Sequence, residues 1–532
     1  MADVNIAALV VVILFYLVIV IVGVIAARKA RINTKTSGDS IVANRSLSLP
    51  LAIVSSAATY VDGGFINGTA EGVADPNFGL AWTVAPLGIF IGVTIGGFVF
   101  GTRMRARKYV TMLDPFTEKY GGFMTGLLFL GALMADLLWA AAILTSLGTS
   151  LSVIMSVDTT PALIASAIVA LIYTAVGQLI AVAYTDVVQM IFMVLGMVLC
   201  VPFAMTNENS RDIRDGSDRW LGSVPKNSVA SYADFCIVQI FGSIPWQTLF
   251  QRVLAVKEVN HAGTMCVVSA FSALLFAIPP VLIGAVGATA DWNSTDLGYS
   301  PIEAGEYSAI LPLVLQHLTP AAVSIIGLAA ILGAVMSSLD SLILGSSSMF
   351  AYNVYKMALR KQASDRETLI VQRVAMLFSA TAATCLAIFI NSVYSLFYLA
   401  ADTVFIILFP QLTCAVFFKY SNAYGSFCGY LVGVLMRFGG GDASLGIDPF
   451  IKYPFYDETD GQLFPYKSFA MITSLIVNMT VSSITHTLFR KGILPEKFDF
   501  CRSMDRMLDM KSSLDSKETE KSPAEILQVT KF

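Results

Sequence analysis

The chain has 532 residues, 56% hydrophobic and only 13% charged, too apolar for a soluble globule, in which about a quarter of residues are charged. Its formal charge of −3 offers no basic surface for nucleic acid. Long apolar stretches separated by short polar loops recur to about Phe489, so residues 1–489 read as one all-α integral membrane domain embedded in a lipid bilayer.

The first stretch, 5–27, has no basic residue ahead of it and is followed by Arg28, Lys29 and Arg31 without a small-residue cleavage pattern. It reads as a retained span. Taking about 20 apolar residues per crossing, further helices are expected near 47–73, 79–102, 122–155, 161–177 and 180–205, then near 233–252, 262–290, 320–350, 369–391, 394–418, 424–438 and 467–489. One leading span, five more and then seven make about thirteen transmembrane helices.

Loops rich in Lys and Arg stay in the cytoplasm. Arg28–Arg45, Arg103–Lys119 and Lys356–Arg373 fall on one side of this arrangement, which puts the amino terminus outside and the carboxyl tail inside. The sequon at Asn293 then lies in an extracellular loop and is the expected glycosylation site. Those at Asn44, Asn67 and Asn478 fall in membrane or cytoplasm and are expected to be silent. Polar segments 207–234 and 439–466 read as extracellular loops, and 490–532 as a disordered cytoplasmic tail.

Within the second span, Ala57-Ala58-Thr59-Tyr60-Val61-Asp62-Gly63-Gly64-Phe65-Ile66-Asn67-Gly68-Thr69 sets paired glycines among polar residues at bilayer depth. Non-helical backbone is tolerated there only where it lines a cavity or is buried in protein, so this run reads as an unwound site. Close helix packing on small residues is the plainer alternative. Five helices later Phe241-Gly242-Ser243-Ile244-Pro245-Trp246-Gln247 interrupts another span. Broken helices at matching positions suggest two inverted five-helix repeats, about 47–205 and 233–418.

Asp62, Asp136, Asp186, Asp340 and Asp402 fall in or at the edge of spans, with no comparable set of intramembrane Lys or Arg, which favours bound cations. Ser337 and Ser338 add neighbouring hydroxyls, which suit a hard cation such as sodium. They are equally compatible with back-bonding to their own helix. Cys200, Cys236, Cys266, Cys385, Cys414, Cys428 and Cys501 are scattered singly, and His261, His317 and His486 lie far apart. Neither set has the spacing of a metal or disulfide framework.

The order of these segments resembles the sodium:solute symporter family and, within it, the high-affinity choline transporters. The resemblance rests on Ile66-Asn67-Gly68-Thr69-Ala70-Glu71, Thr111-Met112-Leu113-Asp114-Pro115-Phe116, Trp139-Ala140-Ala141-Ala142, Tyr184-Thr185-Asp186-Val187-Val188-Gln189, Ile244-Pro245-Trp246-Gln247, Phe250-Gln251-Arg252, Val335-Met336-Ser337-Ser338 and Phe409-Pro410-Gln411. It implies a LeuT-like fold, with a leading helix, two inverted five-helix repeats and two trailing helices, performing sodium-driven alternating access with no cofactor and with chloride dependence.

Carried over by resemblance, a sodium site takes the carbonyls of Ala57, Tyr60 and Ala334 and the hydroxyls of Ser337 and Ser338. Asp186 matches an aspartate associated with sodium coupling, and Trp139 and Trp246 match tryptophans of a choline cage. This chain departs from the family at Tyr60 and Phe397, where the relatives carry tryptophan, at Ile89 in place of tyrosine, and at Asp62 in place of glycine. Choline has no N–H to donate, so aromatic faces must hold it. The function expected is plasma-membrane choline import, with synaptic-vesicle or other intracellular membranes and a link to neurotransmitter synthesis implied by the same resemblance. Competing readings are transport of another small organic cation or polar metabolite, or a non-transporting sensor or ligand-gated conductance. No Ser/His/Asp, Cys/His or metal-ligand constellation points to an enzyme, and oligomeric state is left open.

Overall fold

The computed structural model describes residues 5–30, 36–156, 158–389, 392–442, 446–458, 461–495 and 499. The rest of the expected tail, with Cys501, lies outside the described residues, as does Arg31. Apart from a two-residue antiparallel strand pair, Tyr456–Asp457 with Gly461–Gln462, the regular elements of the described chain are helices. Among the described residues nine helices are long and apolar enough to cross a membrane, and ten when one bent pair counts as a single span.

The leading helix α1 (Ile6–Ala30) turns Ile6, Ile13, Leu14 and Leu17 outward, each more than half exposed. Such a face is stable only against lipid. The bent pair follows as α2 (Leu49–Tyr60) and α3 (Gly63–Ala74), inclined by 46°. Next come α4 (Ala85–Ile95), which runs on through a π-helical turn at Gly96–Gly101, α5 (Asp114–Met155) and α6 (Thr159–Thr206). Helix α5 kinks at Gly121 (φ 80°) and α6 at Gln178 (φ 53°). The kink at Gln178 is where separate helices over 161–177 and 180–205 were expected to meet.

Helices α7 (Val229–Phe241) and α8 (Gln247–Ala255) form the second interrupted span. They are followed by α9 (His261–Phe276), α10 (Ile278–Thr289), α11 (Ile310–His317), α12 (Ala321–Met349), α13 (Asp365–Phe389), α14 (Val393–Ile407), α15 (Phe409–Phe417), α16 (Ala423–Gly439) and α17 (Tyr466–Arg490). The expected spans 262–290 and 394–418 are thus each two helices. Pro279, Pro280 and Pro410 sit just after the joints, where a missing N–H and ring clash break the ladder. Beyond Met349, α12 continues as a π-helix to Leu359.

Helix α12 is buried along nearly its whole length from Gly327 to Met349 and packs against α6, α5 and α2. With α3 and α5 it forms the centre of the bundle. The trailing helices α16 and α17 pack on each other, with α17 also touching α14 and α15.

Candidate substrate and ion sites

The first break is built by local chemistry. Asp62 adopts extended backbone (φ −97°, ψ 178°) and caps α3, its Oδ1 accepting the Phe65 amide at 2.5 Å. A carboxylate at a helix N-terminus satisfies an orphan amide and complements the helix dipole. Glycine at 63 is required sterically, because a Cβ there would lie 2.5 Å from Val335 Cγ2 and 2.9 Å from Ser146 Oγ. On the other side of the break, a continuous helix would pair the carbonyls of Ala58 and Thr59 with residues 62 and 63, which lie past the bend.

Those two carbonyls face α12. Ser337 Oγ donates to Ala58 O at 2.9 Å and lies 3.0 Å from Ala334 O, and Ser338 Oγ donates to Thr59 O at 2.8 Å. The serines therefore bond across to the broken helix, although Ser337 also back-bonds. Of the carbonyls named by the resemblance, Ala334 O lies within reach of Ser337 and Ala57 O accepts the Val61 amide at 3.1 Å, while Ala58 and Thr59 present the carbonyls of the broken helix that meet the hydroxyls. A step of one residue rotates a helical carbonyl by about 100°, so only the tertiary contact shows which carbonyls meet the hydroxyls.

The second break spans Gly242–Trp246. Trp246 has extended backbone, and its indole N–H turns back to the Gly242 carbonyl at 2.6 Å. Glycine is again required, since a Cβ at 242 would lie 2.5 Å from the carbonyl oxygens of Ala401 and Val238. From α5, Trp139 donates its indole N–H to Asp62 Oδ2. The rings of Trp139 and Trp246 meet edge to face with centroids 4.6 Å apart, and Phe397 of α14 packs edge-on to Trp139 at 6.1 Å. Trp139, Trp246, Phe397 and Asp62 thus form one buried cluster joining both breaks.

Tyr60 is buried but makes no ring contact with that cluster, and its hydroxyl has no hydrogen-bond partner among the described residues. Ile89 is buried in α4. Asp136, one turn before Trp139, keeps Oδ2 without a hydrogen-bond partner among the described residues.

Sequence reasoning missed the buried cations. Arg252, fully buried on α8, lies 3.2 Å from Asp186 of α6, also fully buried. Ser55 Oγ donates to Asp186 at 2.5 Å and accepts from Arg252 Nε at 3.2 Å. Arg252 also donates to Ser341 Oγ at 2.5 Å, and Ser341 donates to the Ser337 carbonyl at 2.7 Å. Asp402 pairs with Arg437 at 2.5 Å and with Lys467 at 3.2 Å. The expectation that the intramembrane carboxylates lack Lys or Arg partners is therefore corrected for Asp186 and Asp402. Their partners come from helices remote in sequence, at span edges where charge reads as loop.

Asn67 and Asn478 are buried and their side-chain amides donate within the bundle, to Ser146 O at 3.2 Å and to Gln411 Oε1 at 2.8 Å. Asn293 lies in the Trp292–Ser294 turn between α10 and α11.

Residues 40–433 match the sodium:solute symporter family. High-affinity choline transporter 1 of Drosophila melanogaster is 44% identical over 94% of this chain and 81% of that protein. High affinity choline transporter 1 of Homo sapiens is 43% identical over 93% of this chain and 88% of that protein. Sodium/glucose cotransporter 1 of Oryctolagus cuniculus is more distant, at 25% over 81% and 71%. The fold is similar to a solved structure of a Na+-coupled sialic acid symporter in a substrate-bound outward-open state, with TM-score 0.69, 16% identity, and coverage of 90% of this chain and 98% of that one.

Proposed function

The chain belongs to the sodium:solute symporter family, and from that premise we propose that it is a sodium-coupled symporter that imports choline by alternating access. The observation that carries the substrate is the aromatic cluster. Trp139 and Trp246 are fixed by their own indole N–H bonds to the two helix breaks, with Phe397 beside them. Rings oriented from their edges keep π-faces for a cation that has no hydrogen to donate.

Asp62 bears on the competing reading. A carboxylate free in the pocket would favour an ammonium that carries N–H. Both of its oxygens instead accept donors from the protein, Oδ1 from Phe65 and Oδ2 from Trp139, which supports choline.

For sodium, the proposed ligands are the hydroxyls of Ser337 and Ser338 with the carbonyls of Ala58, Thr59 and Ala334. Tyr60, at the end of α2, is retained from the resemblance and Ala57 lies one residue outside the set. Asp186 acts at a distance, through Arg252 and Ser341 to Ser337. The proposal extends to thirteen spans as a leading helix, inverted repeats at about 47–205 and 233–418, and two trailing helices. It further includes a cytoplasmic tail over 490–532, an extracellular amino terminus, plasma-membrane residence, glycosylation at Asn293, and chloride dependence.

The test is uptake of radiolabelled choline into cells expressing the chain, with sodium present or replaced. Saturable accumulation that vanishes without sodium is expected. Absence of uptake at every choline concentration, or ligand-evoked current without accumulation, would remove the assignment.

A further inference from the structure

The helix α3 has a second chemically loaded end. A cavity of about 250 Å³ lies where its C-terminus meets the start of α14 and the segment before α11. On the proposed topology this is the outer face. Two carboxylates line it, Glu71 and Asp75, four residues apart and each no more than 9% exposed. Like charges at that spacing repel, and burial raises the cost of leaving them uncompensated.

Glu71 has protein partners: its Oε1 accepts from Ser392 Oγ and its Oε2 from the Tyr394 amide, both at 3.1 Å, so it caps α14. Asp75 is different. Its Oδ1 accepts the Asn77 amide and side chain at 2.8 and 2.9 Å within its own turn, while Oδ2 has no hydrogen-bond or ion-pair partner among the described residues. No lysine or arginine lines the cavity. The remaining wall sets three aromatic rings, Phe78 and Tyr394 at a centroid distance of 5.6 Å with Tyr307, among the serines Ser308, Ser392 and Ser395.

Negative charge without a counter-cation calls for a cation, and the paired rings of Phe78 and Tyr394 bear on which one. A small inorganic ion prefers a shell of oxygens, whereas a quaternary ammonium gains from ring faces and diffuse charge together. We infer that this cavity is a second, outer binding site for a quaternary ammonium, with Asp75 as its charge and Phe78 and Tyr394 as its walls. Helix α3 has 12 residues, so at 1.5 Å per residue the outer site stands roughly 18 Å from the Asp62 end. The site deepens the choline reading and rests on it for the identity of the ligand.

The test separates binding here from transport. A Ser308→Cys variant, at the rim of the cavity, is labelled on intact cells with a membrane-impermeant maleimide, and the labelling of the parent protein is subtracted. In sodium-free medium choline is expected to slow labelling by about threefold, as a weak single-site contact would allow. Asp75→Asn in the same background is expected to abolish the protection. Phe78→Leu provides the same reading if the Asn variant does not reach the surface. No protection by choline in a protein that transports choline would overturn the site, and equal protection by sodium alone would overturn its assignment to an ammonium. Protection by choline without sodium-dependent uptake would uphold the site while removing the transport proposal.

Discussion

Trp139 and Trp246 meet edge to face at 4.6 Å, and each commits its indole N–H to a different helix break, Trp139 to Asp62 and Trp246 to the Gly242 carbonyl. In the proposed choline cage each tryptophan would therefore both supply a ring to the substrate and fix the backbone that shapes the site. Substitutions at either position act on both.

Trp139→Phe keeps an aromatic face but removes the donor to a buried carboxylate oxygen. Leaving such a group unpaired costs about 1–3 kcal/mol. We expect the KM for choline to rise about tenfold with surface expression retained, measured as concentration-dependent uptake. Trp139→Phe combined with Asp62→Gly removes the orphaned acceptor as well, and should recover part of the loss.

Ser337→Ala and Ser338→Ala each delete a hydroxyl that bridges α12 to the broken helix. The sodium concentration for half-maximal uptake is expected to rise about tenfold in each, as for loss of one oxygen ligand worth about 1.4 kcal/mol. Unchanged sodium activation in both variants would remove the serines from the sodium site.

Arg252→Gln strands Asp186 in a fully buried position. Breaking one side of a buried pair typically costs about 3–5 kcal/mol, whereas replacing both partners with apolar residues is often neutral. Thermal stability of the detergent-solubilised protein should fall sharply for the single variant and recover in Arg252→Met with Asp186→Leu. If Asp186 also acts through Arg252 and Ser341 on Ser337, the double variant should fold yet show altered sodium dependence in uptake assays.

Gly242→Ala places a methyl 2.5 Å from two backbone carbonyl oxygens that cannot swing aside. Overpacking of this kind costs about 1–3 kcal/mol, and because the clash lies at the second break, uptake should be lost along with thermal stability. Gly126→Ala, where a Cβ meets nothing within 4 Å, is expected to leave both unchanged.

Asn293→Gln should remove the glycosidase-sensitive gel shift of protein made in a eukaryotic cell. Asn67→Gln and Asn478→Gln should leave that shift intact, because both side chains are buried and hydrogen-bonded within the bundle. A shift that survives Asn293→Gln would place the glycan at another sequon and remove Asn293 as the glycosylation site.

Membrane character, the approximate helix spans and the two broken helices were legible in the amino-acid order alone. Each is a local property: about 20 apolar residues make a span, and Gly63, Gly64, Gly242 and Pro245 interrupt one wherever the helix ends up. Ser337 and Ser338 were legible as neighbouring hydroxyls, though the carbonyls they meet were not. Choosing Ala58 and Thr59 over Ala57 depends on how α12 is rotated against α2, which packing sets. The same holds for Arg252 with Asp186 and Arg437 with Asp402, separated by 66 and 35 positions. At the edge of a span a charged residue looks like loop, and only a folded bundle, in which burial without a partner is prohibitive, reveals which opposite charge has been brought to it.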